Sequence, residues 1–271
     1  MSGHWSPEEL PWAAFDPERV DRSLVPLVKA ASMVESNGHD YAAYLNRVFA
    51  DDPAVCDMMN GWAHEEVQHG VVLGRWARLA DPSFDYDAAL ARFRAGYSIQ
   101  IDADASIRGS RTGEMIARCM VEVGTSSFYS ALADRTGEPL LKAICKRIAA
   151  DELRHYALFY RTMKRYLENE RLNKLERIRI AFLRVLETED DELAYAWFAA
   201  NDGGGREYDR KQANRAYMRE SYALYRPHHA RRGMTMIFKA VGLKPTGRLS
   251  RLLSRLAIVL IGFRAWRLAR A

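Results

Sequence analysis

Arg147-Ile-Ala-Ala-Asp-Glu-Leu-Arg-His-Tyr156 decides how this chain is read. Glu152 and His155 stand three residues apart, in a run with helical apolar spacing (Ile144, Ile148, Leu153, Ala157, Leu158). On an α-helix, positions i and i+3 share a face, so a carboxylate and an imidazole point the same way. That suits a metal better than an apolar core. A single Glu-x-x-His carries little weight, because the pair occurs by chance on many solvated helices. The rest of the chain has to supply its partners.

It does so in a second copy and two further glutamates. Trp62-Ala-His-Glu-Glu-Val-Gln-His69 holds Glu66 and His69 at the same spacing. Each pair follows a lone glutamate set among apolar residues: Glu35 stands 31 residues before Glu66, and Glu122 stands 30 before Glu152. The two halves are offset by 87 and 86 residues. Helices joined by short connections pack antiparallel, so residues about thirty apart on a hairpin share a height. One turn rises ~5 Å, and gaps matched to one residue keep both halves in register. Four carboxylates and two imidazoles suit iron or manganese. The lack of thiolates argues against structural zinc and iron–sulfur clusters. Four carboxylates in a dry core would repel one another, and two divalent cations would neutralise them.

The pattern predicts an all-α chain. A first helix is expected from about Ser23 to Ala50 and a second from Pro53 to Leu79, started by Asp52 and Pro53. A short helix is expected over Ala88–Gly96 and a loop or crossover over Asp102–Gly113. Further helices are expected over Thr112–Asp134, Pro139–Asn169, Asn173–Ala200 and up to about Tyr225, with a flexible break at Asp202–Gly205. Residues 1–20, punctuated by Pro7, Pro11 and Pro17, are expected to wrap the surface.

The chain has 271 residues and a formal charge of +5, an average that hides an asymmetry. From Arg226 onward there are eleven Lys or Arg and no Asp or Glu, leaving 29 basic against 35 acidic residues in 1–225. The expected division is therefore a helical domain over 1–225 and a basic amphipathic tail over 226–271. The longest apolar run of the tail, Leu256–Phe263, has eight residues, against the ~20 a bilayer span needs. Arg248, Arg251, Arg255, Arg264, Arg267 and Arg270 with Trp266 read instead as an in-plane anchor on an anionic membrane surface. A helix docked on the acidic body, or a tail that binds a partner, are the alternatives. Nucleic acid is not an expected partner, because the tail is rich in apolar residues and carries no recognised motif. Cys56, Cys119 and Cys145 form no Cys-x-x-Cys pair, which fits a reducing compartment. The opening residues show no secretory signal, so a cytoplasmic protein, peripheral on the inner face of the membrane, is expected.

The motifs Trp62-x-x-Glu65-Glu66-x-x-His69, Glu122 followed by Thr125, and Ile148-Ala-Ala-Asp151-Glu152-x-x-His155 resemble those of the ferritin-like di-iron carboxylate superfamily. Within it they are most similar to the soluble acyl-(acyl carrier protein) desaturases, over roughly Ser23–Leu167. Residues 83–113 and those after about 170 depart from that pattern. The resemblance implies a ferritin-like four-helix bundle with additional C-terminal helices. It implies that Glu35, Glu66, His69, Glu122, Glu152 and His155 bind two irons, with Glu66 and Glu152 bridging. Trp62 belongs to the surroundings of that centre. Thr125, one turn beyond Glu122, is the implied catalytic hydroxyl, facing oxygen at the metals; back-bonding to a helix carbonyl is the alternative. Glu65 and Asp151 each precede a bridging glutamate, and are expected to accept the outer ring N–H of the histidine from the opposite half.

The expected activity is O2-dependent desaturation or hydroxylation of an apolar, fatty-acyl or lipid-like substrate. The expected partners are that substrate, free or linked to a carrier protein, and an electron donor protein such as a ferredoxin. A homodimer is a possible assembly. Hydroxylation of a quinone precursor at the membrane is the alternative among enzymes. Iron oxidation and storage, or rubrerythrin-like peroxide scavenging, form a different class. The missing Cys-x-x-Cys pairs and the long basic tail count against that class.

Overall fold

The computed structural model describes residues 5–103, 105–187, 191–202, 205 and 207–270. Three 3-10 turns (Pro7–Glu9, Trp12–Ala14, Pro17–Arg19) lead into α1 (Val25–Glu35), α2 (Gly38–Val48), α3 (Pro53–Ala80), α4 (Tyr86–Gly96), α5 (Arg111–Arg135) and α6 (Pro139–Glu170). These are followed by α7 (Lys174–Leu186), α8 (Asp191–Asn201), α9 (Arg210–Tyr222), α10 (Pro227–Ala240) and α11 (Arg248–Arg270). No strand occurs among the described residues. The chain is an all-α, ferritin-like four-helix bundle with added helices. Its rods are α1 with α2, then α3, α5 and α6; α3 packs on α1, α2 and α6, and α5 packs on α6.

The long rods start where local chemistry dictates. Asp52 accepts from Val55 N ahead of Pro53, and Ser110 accepts from Gly113 N at the head of α5. Two glutamates then fix the α5–α6 hairpin at its ends. Glu170, the last residue of α6, accepts from the backbone N–H of Arg111 (3.0 Å) and Thr112 (2.7 Å) at the start of α5. Glu138, fully buried, caps α6 by accepting from Leu140 N (3.0 Å) and Leu141 N (2.7 Å). It also accepts from Trp76 Nε1 of α3 (2.7 Å) and from Asp16 N (3.1 Å). One carboxylate thus ties the N-terminal segment, α3 and α6 together.

Three expectations change. The first helix is broken at Ser36–Asn37, where Asn37 N turns to Val34 O (3.0 Å) and Ser36 Oγ donates to Ser32 O (2.7 Å) ahead of Gly38. The Asn173–Ala200 region forms two helices, α7 and α8, with residues 188–190 outside the described set. The N-terminal segment does more than wrap the surface: Trp5 and Leu10 are buried in the bundle core. Of the expected break at Asp202–Gly205, Gly203 and Gly204 lie outside the described residues. The expected boundary at Arg226 falls on the N-cap of α10, which packs on α5 and receives a hydrogen bond from Tyr156 Oη to Met236 O (2.8 Å).

The apolar core is split in two. One cluster holds Leu27, Leu73, Trp76, Leu132, Ile144 and Ile148; the other holds Leu45, Met59, Trp62, Met115, Phe159 and Met163. The layer between them is polar and holds the candidate site. Replacing Glu138 by Ala strands the buried indole N–H of Trp76 and uncaps α6. The expected loss is about 2–4 kcal/mol of stability, read as a lower urea midpoint at an unchanged slope.

Candidate metal centre

The six candidate ligands meet at mid-height of the bundle. Glu66 and His69 lie midway along α3, Glu152 and His155 midway along α6, Glu122 midway along α5, and Glu35 ends α1. Two glycines permit this approach. A Cβ on Gly38 would lie 2.8 Å from Glu66 Cβ, and one on Gly70 would lie 2.2 Å from Ser36 Oγ. The break between α1 and α2 is therefore pressed against α3 with no room for a methyl group. Asn37 Nδ2 and Tyr41 Oη donate to Glu192 of α8 (3.2 and 2.7 Å), which holds the break from outside.

The donors form two overlapping groups. Glu35, Glu66, His69 and Glu152 make one; Glu66, Glu122, Glu152 and His155 make the other, and within each the donor atoms lie within 4.8 Å of one another. All six residues are buried. His69 Nδ1 lies 3.3 Å from Glu152 Oε1 and 3.6 Å from Glu35 Oε2. His155 Nδ1 lies 3.0 Å from Glu66 Oε1, 3.6 Å from Glu122 Oε2 and 3.8 Å from Glu152 Oε2. Glu152 thus turns one oxygen to each half. The inward atoms converge without making hydrogen bonds of proper direction. Glu35 Oε2, Glu66 Oε1, His69 Nδ1, both oxygens of Glu122, Glu152 Oε1 and His155 Nδ1 are all buried without a hydrogen-bond partner. An unpartnered buried polar atom costs about 1–3 kcal/mol, more if charged. Seven around one point fit two divalent cations, which satisfy oxygen and imidazole donors and cancel the carboxylate charge.

The outer atoms, by contrast, are fully engaged. His69 Nε2 pairs with Asp151 Oδ2 (2.9 Å) and His155 Nε2 with Glu65 Oε2 (3.0 Å), each across to the opposite helix. A proton held on Nε2 leaves the Nδ1 lone pair facing inward. Arg154 donates to both Asp151 and Glu65 and so joins the two pairs. Trp5 Nε1 donates to Asp151 Oδ2 (2.7 Å), and its ring stacks on His69 with centroids 6.1 Å apart. Tyr129 Oη donates to Glu35 Oε1 (2.5 Å). Thr125 Oγ1 donates to Glu152 Oε2 (2.7 Å), with longer contacts to the carbonyls of Val121 and Glu122 (3.3 and 3.4 Å). Trp62 packs edge-on against Phe159 and its buried indole N–H has no partner, so it bonds to none of the donors.

Trp5, Tyr129 and Arg154 escaped the sequence reading. Tyr129 carried a signal, since it lies seven residues after Glu122 and hence on the same helix face. Arg154 and Trp5 carried none. Arg248, Arg251, Arg255, Arg264, Trp266, Arg267 and Arg270 all lie exposed on α11, away from the donors. A third donor group, Asp134 with His228 and His229 (3.0 and 3.1 Å), links the end of α5 to the start of α10.

Residues 33–184 match the family model described as fatty acid desaturase, over more than half of the chain and across all six candidate ligands. The chain belongs to the fatty acid desaturase family. No curated protein sequence matches it. Membership assigns this desaturase-family chain an oxidoreductase type of function, and its buried carboxylate and histidine groups are compatible with a di-metal site.

The charge state of this desaturase-family site follows from burial. Desolvation, then the neighbouring Glu152, push Glu66 and Glu122 well above the usual carboxylate range. Burial pushes Glu152 the same way, but the two histidines outweigh it and hold it well below that range. Burial alone would lower His69 and His155; the carboxylates around each ring outweigh it and raise both well above the ordinary imidazole value. The metal-free site therefore holds protons where cations would sit.

Two consequences are measurable. Anaerobic titration with Fe(II) is expected to give two metals per chain. Glu66→Ala and Glu152→Ala remove a donor common to both groups and lose both metals, whereas Glu35→Ala or Glu122→Ala spares one group and keeps one. For pH, a raised folded-state pKa means that the folded chain binds the proton more tightly than the unfolded chain. Its stabilising effect is present at low pH and fades as pH rises through the folded value. The melting temperature of the metal-free chain is thus expected to fall as pH rises above the ordinary carboxylate and imidazole values. Metal affinity rises over the same range, because binding releases those protons.

Proposed function

We propose that this desaturase-family chain is an O2-dependent di-iron oxidoreductase that desaturates or hydroxylates a fatty-acyl-type chain. One observation carries the reading: seven inward atoms without hydrogen-bond partners fall into two groups that share Glu66 and Glu152. Carboxylate and imidazole donors suit iron, with manganese the competitor. Two irons held there supply the electron transfer by which O2 is reduced.

The rest falls to the chain's own residues. Asp151 and Glu65 keep the proton of each ring on Nε2 and aim Nδ1 inward. Thr125 Oγ1 donates a hydrogen bond to Glu152 Oε2 and so orients the shared carboxylate. Its role in this geometry is positioning. Met59, Trp62, Met120 and Phe159 line the apolar cluster beside the site, which excludes water and suits an alkyl chain. Desaturation removes two hydrogen atoms, that is two protons and two electrons, from adjacent methylenes, and solvent supplies two further protons. O2 accepts four electrons and becomes two waters, so a one-electron carrier protein such as a ferredoxin supplies the other two electrons. Hydroxylation draws the same two external electrons and leaves one oxygen on the product.

The test uses iron-loaded full-length protein with O2, reduced ferredoxin and fatty-acyl chains, free or linked to acyl carrier protein. Mass spectrometry is expected to show acyl products that have lost two hydrogens or gained one oxygen. Glu152→Ala abolishes both, and Thr125→Val lowers product formed per O2 consumed at unchanged iron content. Deposition of many irons per chain with no acyl product would replace this reading by iron storage. Turnover of a quinone precursor in preference to an acyl chain would redirect the substrate assignment.

A further inference from the structure

Helix α11 is held along one side and bare along the other. On the inner side Ser250 is buried and Arg264 Nη1 donates to Tyr222 Oη of α9 (3.0 Å). On the outer side Leu252, Leu256, Val259, Leu260, Phe263 and Trp266 are all exposed, between 49% and 67%. They recur every three or four residues and so form one apolar stripe. Among the described residues no helix is long and apolar enough to cross a membrane. A stripe of this kind therefore lies along an apolar surface.

Beside the stripe, α9 and α11 flank an open groove-like cavity of about 360 Å³. Lys211, Asn214 and Arg215 of α9 and Arg267 of α11 line it beside Arg264, which Tyr222 holds, with Met218 and Leu268 as apolar neighbours; among the described residues no carboxylate lines it. On α9, residues 211, 215 and 218 share one face; on α11, so do residues 264, 267 and 268. Lys211, Arg215 and Arg267, facing one small volume, repel one another and favour an anion between them. The apolar neighbours suit an anion that carries hydrocarbon, and the exposed stripe alongside suits its acyl chains.

We propose that this cavity binds the phosphate headgroup of an anionic phospholipid within a bilayer, while α11 lies in the membrane surface with its stripe inserted. The proposal is independent of the metal centre and of the oxidation chemistry. It differs from a purely electrostatic tail in one respect: two of these cations, Lys211 and Arg215, belong to α9 and not to the basic C-terminal stretch.

Cosedimentation of the full chain with vesicles tests it. At physiological salt the protein is expected to pellet with phosphatidylcholine vesicles that contain phosphatidylglycerol, and not with phosphatidylcholine alone. The double variant Lys211→Gln/Arg215→Gln is expected to lower the partition coefficient about thirtyfold, from ~1 kcal/mol per basic residue at an anionic surface. Arg161→Gln/Lys164→Gln, an equal loss of charge from exposed positions on α6, is expected to bind as wild type. Phe263→Ser/Trp266→Ser is expected to lose binding through the stripe. Circular dichroism and melting curves that match wild type exclude misfolding as the cause. The proposal is overturned if the full chain does not pellet, or if Lys211→Gln/Arg215→Gln binds like wild type. It is equally overturned if the α6 pair loses as much binding, which would leave net charge as the cause. Displacement by millimolar inorganic phosphate would overturn the bilayer in favour of a small-anion site.

Discussion

Four carboxylates at the centre of a helix bundle are the charge problem around which this chain is arranged. Glu35, Glu66, Glu122 and Glu152 are all buried, and each would repel the others if ionised without nearby positive charge. In the metal-free fold that charge comes from protons, on Glu66 and Glu122 and on the two imidazoles. The cost is visible in the architecture, because the polar layer divides the apolar core into two clusters. The caps and cross-ties away from the site, Glu138 and Glu170 among them, hold the rods together at their ends.

The donors are aimed by what lies behind them. Asp151 of α6 holds His69 of α3, and Glu65 of α3 holds His155 of α6, so each histidine is oriented by the opposite rod. Arg154 links the two carboxylates, and the arrangement works only if α3 and α6 sit in one register. The N-terminal segment joins this layer through Trp5, so a stretch that looks peripheral in sequence bears on the orientation of His69. Close approach by glycine does comparable work on the other side. Gly38 and Gly70 let the end of α1 reach α3, which places Glu35 among the other donors.

The basic C-terminal stretch does not behave as one unit. Helix α10 lies against the bundle: Gly233 sits over Val123 and Ser127 of α5, and His229 reaches Asp134. Helix α11 rests on α9 and α10 and turns its apolar stripe outward. The acidic body and the basic tail are thus joined by a helix that belongs structurally to the body.

Much of the fold and of the candidate site was legible in the residue order. Glu-x-x-His at 66–69 and 152–155, with Glu35 and Glu122 about thirty residues ahead of each, depends only on helical periodicity and hairpin geometry. Asp52, Pro53 and Pro139 mark helix starts through backbone chemistry that acts over a few residues. The break at Ser36–Asn37 was not legible, because it is held by Glu192 and by contact with Gly70, both distant in sequence. The same holds for Trp5 and Arg154, and for the hydrogen bond that Thr125 donates to Glu152 beside its longer contacts to helix carbonyls. The sequence by itself determined which donors are present and that they recur in register along helices. Only the tertiary structure decided which of their atoms are left without hydrogen-bond partners, because those partners come from rods that meet only once the chain has folded.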